Sequence, residues 1–224
     1  MSEALVESFK TELNREAELR LSKNFPEHLQ AANQLLKQPL FDIEANRKKA
    51  REQSATPLTN AETVSTESIP RTKTAIPSNP LIDEAYTAVK PLLLQLGEDV
   101  QLLRMWVMMN VPRIEDGNNF GVSVQEEIIM EAAKTETDAT TMLDFYCDYL
   151  SFRGKLCTKR LKWPGVVDYE RAISDLDETT YIRLRMAVQD IRNNYARMYD
   201  LFSKNAEKIR NPRSDGMNAV NIMY

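Results

Sequence analysis

Apolar positions recur at helical spacing along most of the chain. Leu5, Phe9, Leu13, Ala17 and Leu21 step by four, with Val6 and Leu19 widening the stripe. Asn24-Phe25-Pro26 interrupts the stripe and predicts a kink. Leu29, Ala32, Leu35 and Leu36 resume it and Pro39 ends it, which predicts a first helix over 2–37. A second helix, over 80–111, sets Ala85, Val89, Leu92, Leu96, Leu103 and Trp106 near heptad spacing, with Pro91 bending its early turns. A third, over 123–162, carries two stripes: Met142, Phe145, Tyr149, Phe152 and Leu156, then Leu143, Leu150, Cys157 and Leu161. Two stripes call for more than one packing neighbour. A fourth, over 168–210, alternates steps of three and four through Tyr181, Leu184, Val188, Ile191, Tyr195, Met198 and Phe202. At 1.5 Å per residue, forty or so residues make a rod of roughly 60 Å.

Between the first and second helices the periodicity fades. Residues 42–79 are rich in Ser, Thr, Pro, Asn and Glu and poor in large apolar side chains. Such a segment buries too little surface to offset its ordering entropy and is expected to be a mobile linker. The basic cluster Arg47-Lys48-Lys49 with Arg51 reads most simply as a solvated helix end. Trp163-Pro164-Gly165 makes the tight turn between the third and fourth helices. The fold class that follows is all-α: an up-down-up-down four-helix bundle. Residues 1–41 supply helix one, 42–79 the linker, and 80–224 the other three helices with a tail at 213–224.

The second and third helices are separated by Val111 to Glu127, reading VPRIEDGNNFGVSVQEE. Pro112 pushes Val111 out of the helical region and stops the helix before it. Asp116-Gly117 signals a turn, and Asn118 and Asn119 tolerate left-handed backbone angles. Ser123 and Glu126 have capping-box spacing before the next apolar run. Physics alone reads a polar hairpin loop between antiparallel helices. In an up-down-up-down bundle, this loop and the C-terminus fall on one face.

Composition then narrows the chemistry. The net charge of −4 gives no basic face for nucleic acid. There is no apolar run of membrane length, and MSEALVESFK lacks a signal-peptide core, so an intracellular protein is expected. Cys147 and Cys157 lie nearly three helical turns apart, which precludes a bridge between them and metal-ligand spacing; buried free thiols are expected. His28 is the sole histidine, so neither a Glu-x-x-His di-iron site nor a zincin pair can form, and beside Pro26 it reads as a surface turn residue. No metal site, cofactor or ATP-binding phosphate loop is indicated. A helical enzyme using Glu126, Glu127 and Glu131 is the weaker account, since acidic groups there complement a helix N-terminus. Function should lie in binding.

PRIEDGNNFGVSVQE resembles the activation loop of the 11S (REG-type) proteasome activators. FPEHLQAANQLLKQP is similar to that family's first helix, VKP and MWV to its second, and DLDETTYIRLR, IRNNYA and KIRNPR to its last. The resemblance implies a heptameric ring of bundles around a central channel. It implies a non-catalytic activator that binds the alpha-subunit ring of the core proteasome and opens its gate, stimulating peptide hydrolysis without ATP or ubiquitin. The activation loop carries over onto Arg113, Ile114, Glu115, Asp116, Gly117, Asn118, Asn119, Phe120 and Gly121. The docking tail carries over onto Ile222, Met223 and Tyr224, whose terminal carboxylate would pair with a lysine between neighbouring alpha subunits. Arg153-Gly154-Lys155-Leu156 and the VPR flank resemble the gamma-type, homoheptameric branch, which implies a nuclear and/or cytoplasmic location. Lys155 is a channel-lining candidate, although a solvated helix lysine is the simpler account. The rival to the whole reading is an oligomeric coiled-coil or helical-bundle scaffold whose loop is only a hairpin.

Overall fold

The computed structural model describes residues 2–53 and 76–213, which are helical apart from short connections and contain no strand. Six α-helices are described: α1 (Ser2–Leu19), α2 (Phe25–Leu36), α3 (Ile43–Gln53), α4 (Pro80–Met109), α5 (Phe120–Lys162) and α6 (Val167–Arg210). The break expected near Pro26 is a single π-helical turn, Arg20–Asn24, between α1 and α2. The π turn absorbs an extra residue within a backbone that stays helical from Leu19 to Phe25, and Pro26 falls just past it in α2. α4 runs uninterrupted through Pro91.

The chain divides into two compact units, and α4, α5 and α6 each contribute to both. The first unit comprises residues 1–34, 91–143 and 189–224. Its described helices form an antiparallel four-rod bundle, as the cross-contacts establish. Asn14 on α1 accepts from Trp106 Nε1 on α4 at 2.7 Å, and Arg104 on α4 pairs with Glu136 on α5 at 2.9 Å. Arg197 on α6 pairs with Glu131 on α5. The core of this bundle is Leu96, Val100, Leu103, Trp106, Ile191, Tyr195, Met198 and Phe202. Phe25 meets the Tyr195 ring edge-on at 5.1 Å.

At the centre of this unit lies Asp99, which has no solvent exposure. Its carboxylate accepts from Tyr195 Oη at 2.9 Å and Gln95 Nε2 at 3.0 Å, pairs with Arg20, and lies 2.8 Å from His28 Nδ1. A buried carboxylate is tolerable only with such a full set of partners. Burial and the Asp99 charge push the Tyr195 phenol far above its usual range, so it stays a donor. His28 is therefore no surface-turn residue. It sits in the first turn of α2, half-buried against Asp99, because the backbone stays helical past Pro26 rather than turning there.

The second unit comprises residues 35–90 and 144–188. It holds a second buried hub, Asp177, which accepts from Tyr149 Oη, Arg153 Nε and Asn79 Nδ2. It also corrects the linker expectation: residues 43–53 are helical, not loose. Asn46 and Ala50 of α3 are buried, and Arg47 and Arg51 both pair with Glu178 on α6. The basic cluster is thus partly an attachment rather than a solvated end. Residues 54–75, the middle of the expected linker, lie outside the described residues. Cys157 is buried as expected, but Cys147 is exposed, because it falls off the packed face of α5.

Candidate functional site

The site is the end of the first unit, where α4 stops, α5 starts and α6 finishes. α4 closes with Asn110 N–H on Val107 O at 3.0 Å and Val111 N–H on Met108 O at 3.3 Å, one residue before Pro112. Asn110 Nδ2 adds a bond to Trp106 O at 2.8 Å, satisfying a carbonyl that the last helical turn leaves open. Residues 111–119 then form an irregular, outward-facing loop. Its tip turns at Gly117, with φ of +82°, and Asn118, with φ of +44°. A left-handed pair is cheap only for Gly and for Asn or Asp, which is why this dipeptide stands there.

α5 begins at Phe120, three residues before the expected start at Ser123. Asn119 occupies the cap position: its carbonyl accepts the first helical bond, from Ser123 N–H at 2.9 Å, and also the Ser123 hydroxyl at 3.2 Å. Ser123 therefore serves as an inner-turn residue and not as the cap of a capping box. Its hydroxyl is already committed backwards to Asn119.

Three contacts lock this loop to the end of α6. Gln125, fully buried, donates from Nε2 to Asn110 O at 3.0 Å and to Ile209 O at 2.8 Å, bridging the end of α4 to the end of α6. Gly121 packs directly against Pro212: a Cβ there would lie 2.0 Å from Pro212 O. Arg213 reaches back across the loop, donating from Nη1 to Arg113 O at 2.9 Å and from Nη2 to Asn119 Oδ1 at 3.1 Å, and pairing with Glu115 at 3.0 Å.

The expected loop residues separate by what they do. Arg113 and Glu115 pair with each other, and Glu115 also holds Arg213, so this carboxylate is committed within the site. Ile114 is fully exposed, Phe120 is 75% exposed, and Asp116 faces outward. Asn119 and Gly121 belong to the base, and Gly117 and Asn118 shape the tip. Ile222, Met223 and Tyr224 lie outside the described residues. Lys155 is an exposed side chain on the part of α5 that belongs to the second unit. Sequence reasoning missed Gln125, Pro212 and Arg213. The available signal was Gly121, a helix-disfavoured residue in the first turn of a long helix, which marks a close backbone approach.

Among the described residues no group of three or more His, Cys, Asp and Glu side chains is placed to hold a metal ion, and no helix is long and apolar enough to cross a membrane. An all-α bundle that ends in an exposed loop locked to a helix terminus defines the class: a helical-bundle protein with one structured loop end.

The particular family follows from comparison. Residues 2–48 match the N-terminal model of the proteasome activator PA28 family, and residues 75–219 match its C-terminal model. The chain belongs to the PA28 proteasome activator family. Human "Proteasome activator complex subunit 3" is 43% identical over 137 residues, 61% of this chain and 54% of that protein. The chain thus spans about half the length of that relative. Among solved structures, the 11S subunit PA28 of Plasmodium falciparum aligns with a TM-score of 0.79 and 31% identity, over 95% of this chain and 94% of that one. The trypanosome activator PA26, solved in complex with the yeast 20S proteasome, shares the fold at 10% identity, with a TM-score of 0.69 over 96% of this chain and 98% of that one.

Proposed function

We propose that this chain is a non-catalytic activator of the core proteasome, working as a homoheptameric ring. Tails carrying Ile222, Met223 and Tyr224 bind pockets in the alpha-subunit ring, and the loop from Arg113 to Gly121 opens the gate. The observation that carries the reading is the joining of the exposed loop to the chain's exit at Arg213. Both elements that must meet one surface leave the bundle side by side, tied by Gly121–Pro212 and by Arg213. Membership of the PA28 family supplies the partner.

The division of labour follows from physical chemistry. A terminal carboxylate accepts charge-assisted hydrogen bonds in a fixed geometry. Seven weak tail contacts add through effective concentration once a ring presents them together. The loop then acts by differential contact with the closed and open gate, shifting a population and breaking no bond. Neither ATP nor ubiquitin enters such a scheme. A nuclear and/or cytoplasmic location accords with the gamma-type resemblance.

Exposed apolar side chains on each unit support assembly. Phe9 on α1 and Met105 and Met108 on α4 stand 38–47% exposed around a groove of about 450 Å³. On α5, Leu150 and Phe152 of the expected stripes are also outward, at 41% and 52%. Side chains of this kind are what neighbours in a ring would cover. Lys155 remains a channel-lining candidate within that ring.

The test adds the purified chain to latent core proteasome and follows fluorogenic peptide cleavage, with native mass measurement of ring size. Stimulation without ATP by a seven-fold species is expected. A stable monomer, or a ring that leaves the core silent, overturns the proposal and leaves the scaffold account.

A further inference from the structure

The loop is irregular and exposed. Its side-chain bonds include the Arg113–Glu115 pair, between side chains 87% and 40% exposed, and a 3.3 Å bond from Asn119 Nδ2 to Glu115 O. Exposed contacts of this kind contribute little against the conformational entropy of ordering nine irregular residues.

Arg213 restrains the loop from the end of α6. One planar guanidinium engages the backbone near the loop's start at Arg113, the Glu115 carboxylate, and the Asn119 side chain at its end. Its side chain is only 18% exposed, so its pair with Glu115 is less solvent-screened than the Arg113–Glu115 pair, whose arginine is 87% exposed. Charge-assisted bonds to fixed acceptors are the strong kind, and a fork of donors fixes direction as well as distance. The base from which Arg213 reaches is itself immobilised. Pro212 is buried against Gly121, Asn211 N–H continues α6 onto Glu207 O at 2.8 Å, and Gln125 holds Ile209 O.

We infer that Arg213 is a positioning residue for gate opening: from the end of α6 it holds residues 113–119 in the shape that presents Ile114 and Asp116 outward. The inference deepens the functional reading above and rests on it. Arg213 itself makes no contact with the gate. It is the first residue of the 213–224 tail, so one short stretch fixes the loop while its continuation docks. Lysine cannot replace it, because an ammonium lacks the fork that spans three acceptors.

The experiment compares wild type with Arg213→Ala, Arg213→Lys and Asn119→Ala in full-length chains. Three readouts are used: stimulation of core peptide cleavage, competition with wild type for the core, and limited trypsin cleavage of the 113–114 bond followed by mass. Losing bonds of this strength should shift the loop's presented population by about tenfold or more. Arg213→Ala should therefore stimulate about tenfold less, compete as well as wild type, and be cut faster after Arg113. Arg213→Lys should fall between. Asn119→Ala should lose part of the stimulation, and the Arg213→Ala/Asn119→Ala double should lose less than the sum.

Wild-type stimulation by Arg213→Ala with unchanged cleavage at 113–114 overturns the inference. So does loss of competition in step with stimulation, which would place Arg213 in docking. If Arg213→Ala fails to assemble, Asn119→Ala decides on the same readouts. If wild type itself leaves the core silent, the functional reading fails, and the trypsin arm still decides whether Arg213 holds the loop.

Discussion

Arg153 Nε lies 3.0 and 3.2 Å from the two carboxylate oxygens of Asp177, with the aspartate side chain fully buried and the arginine only 9% exposed. Burial alone would lower the Arg153 pKa, but the charge and hydrogen bond of Asp177, together with Tyr149 and Cys157, outweigh it and raise the value instead. Arg153 Nη1 also donates to Pro77 O at 3.1 Å, so the pair ties α5, α6 and the segment entering α4 together. Asp177→Asn would leave a buried guanidinium without its counter-charge. An expected loss of roughly 3–5 kcal/mol follows for breaking one side of such a pair. Chemical denaturation at fixed protein concentration measures it. A loss below about 1 kcal/mol would mean the pair is a surface-like contact.

Gly121 cannot carry a side chain where it stands. A Cβ would meet backbone of Pro212 at 2.0 Å, and neither partner is a flexible side-chain end. Gly121→Ala should cost about 1–3 kcal/mol in overpacking and displace the end of α6 from the loop. The displacement is read as faster hydrogen exchange in α6 near Ile209.

Asn118 holds a left-handed angle that a tyrosine adopts only at a cost of roughly 1–2 kcal/mol. Asn118→Tyr should keep binding to the core proteasome and lose stimulation. Surface plasmon resonance against immobilised core, beside peptide cleavage, separates the two. Loss of both together would show that the loop docks as well as acts.

Deleting Tyr224 should have the opposite profile. Deleting this residue of the tail proposed to dock should abolish core binding, with ring assembly intact by native mass. Retained binding would move the docking role away from the tail.

Helix α3 should be held slightly less firmly in acid. Burial pushes the Glu178 carboxyl up, but the hydrogen bonds and charges of Arg51 and Arg47 prevail and hold it below its usual value of 4.5. A depressed pKa contributes stability above that usual value and loses it as pH falls through the depressed one. Both arginines are more than half exposed, so the contribution should stay below about 1 kcal/mol. Glu178→Gln should remove this part of the pH dependence, measured by denaturation between pH 3 and 7.

The helices were legible because burial along a rod repeats every three or four residues. All seven stripe residues from Tyr181 to Phe202 in α6 are at most 1% exposed. The loop was legible for a related reason: Pro112, Gly117 and Asn118 state their backbone requirements locally, and the φ values at 117 and 118 agree with them. The pattern was less reliable where an apolar face meets no partner within the chain. Leu5, Phe9, Leu150 and Phe152 keep the period yet stand exposed. Helix α3 went unread because Asn46 and Ala50 are small or polar; it is held by Glu178 from 127 or more residues away.

The sequence by itself determined what depends on near neighbours: the all-α class, the rods and their turns, and the residues of the loop. Tertiary structure alone decided what depends on distant partners. Asp99 meets Tyr195 across 96 positions, Gln125 meets Ile209 across 84, and Arg213 meets Arg113 across 100. No local spacing encodes such pairings. A polar side chain earns its burial only when the fold delivers its partner, and here the fold delivers α6 to the base of the loop.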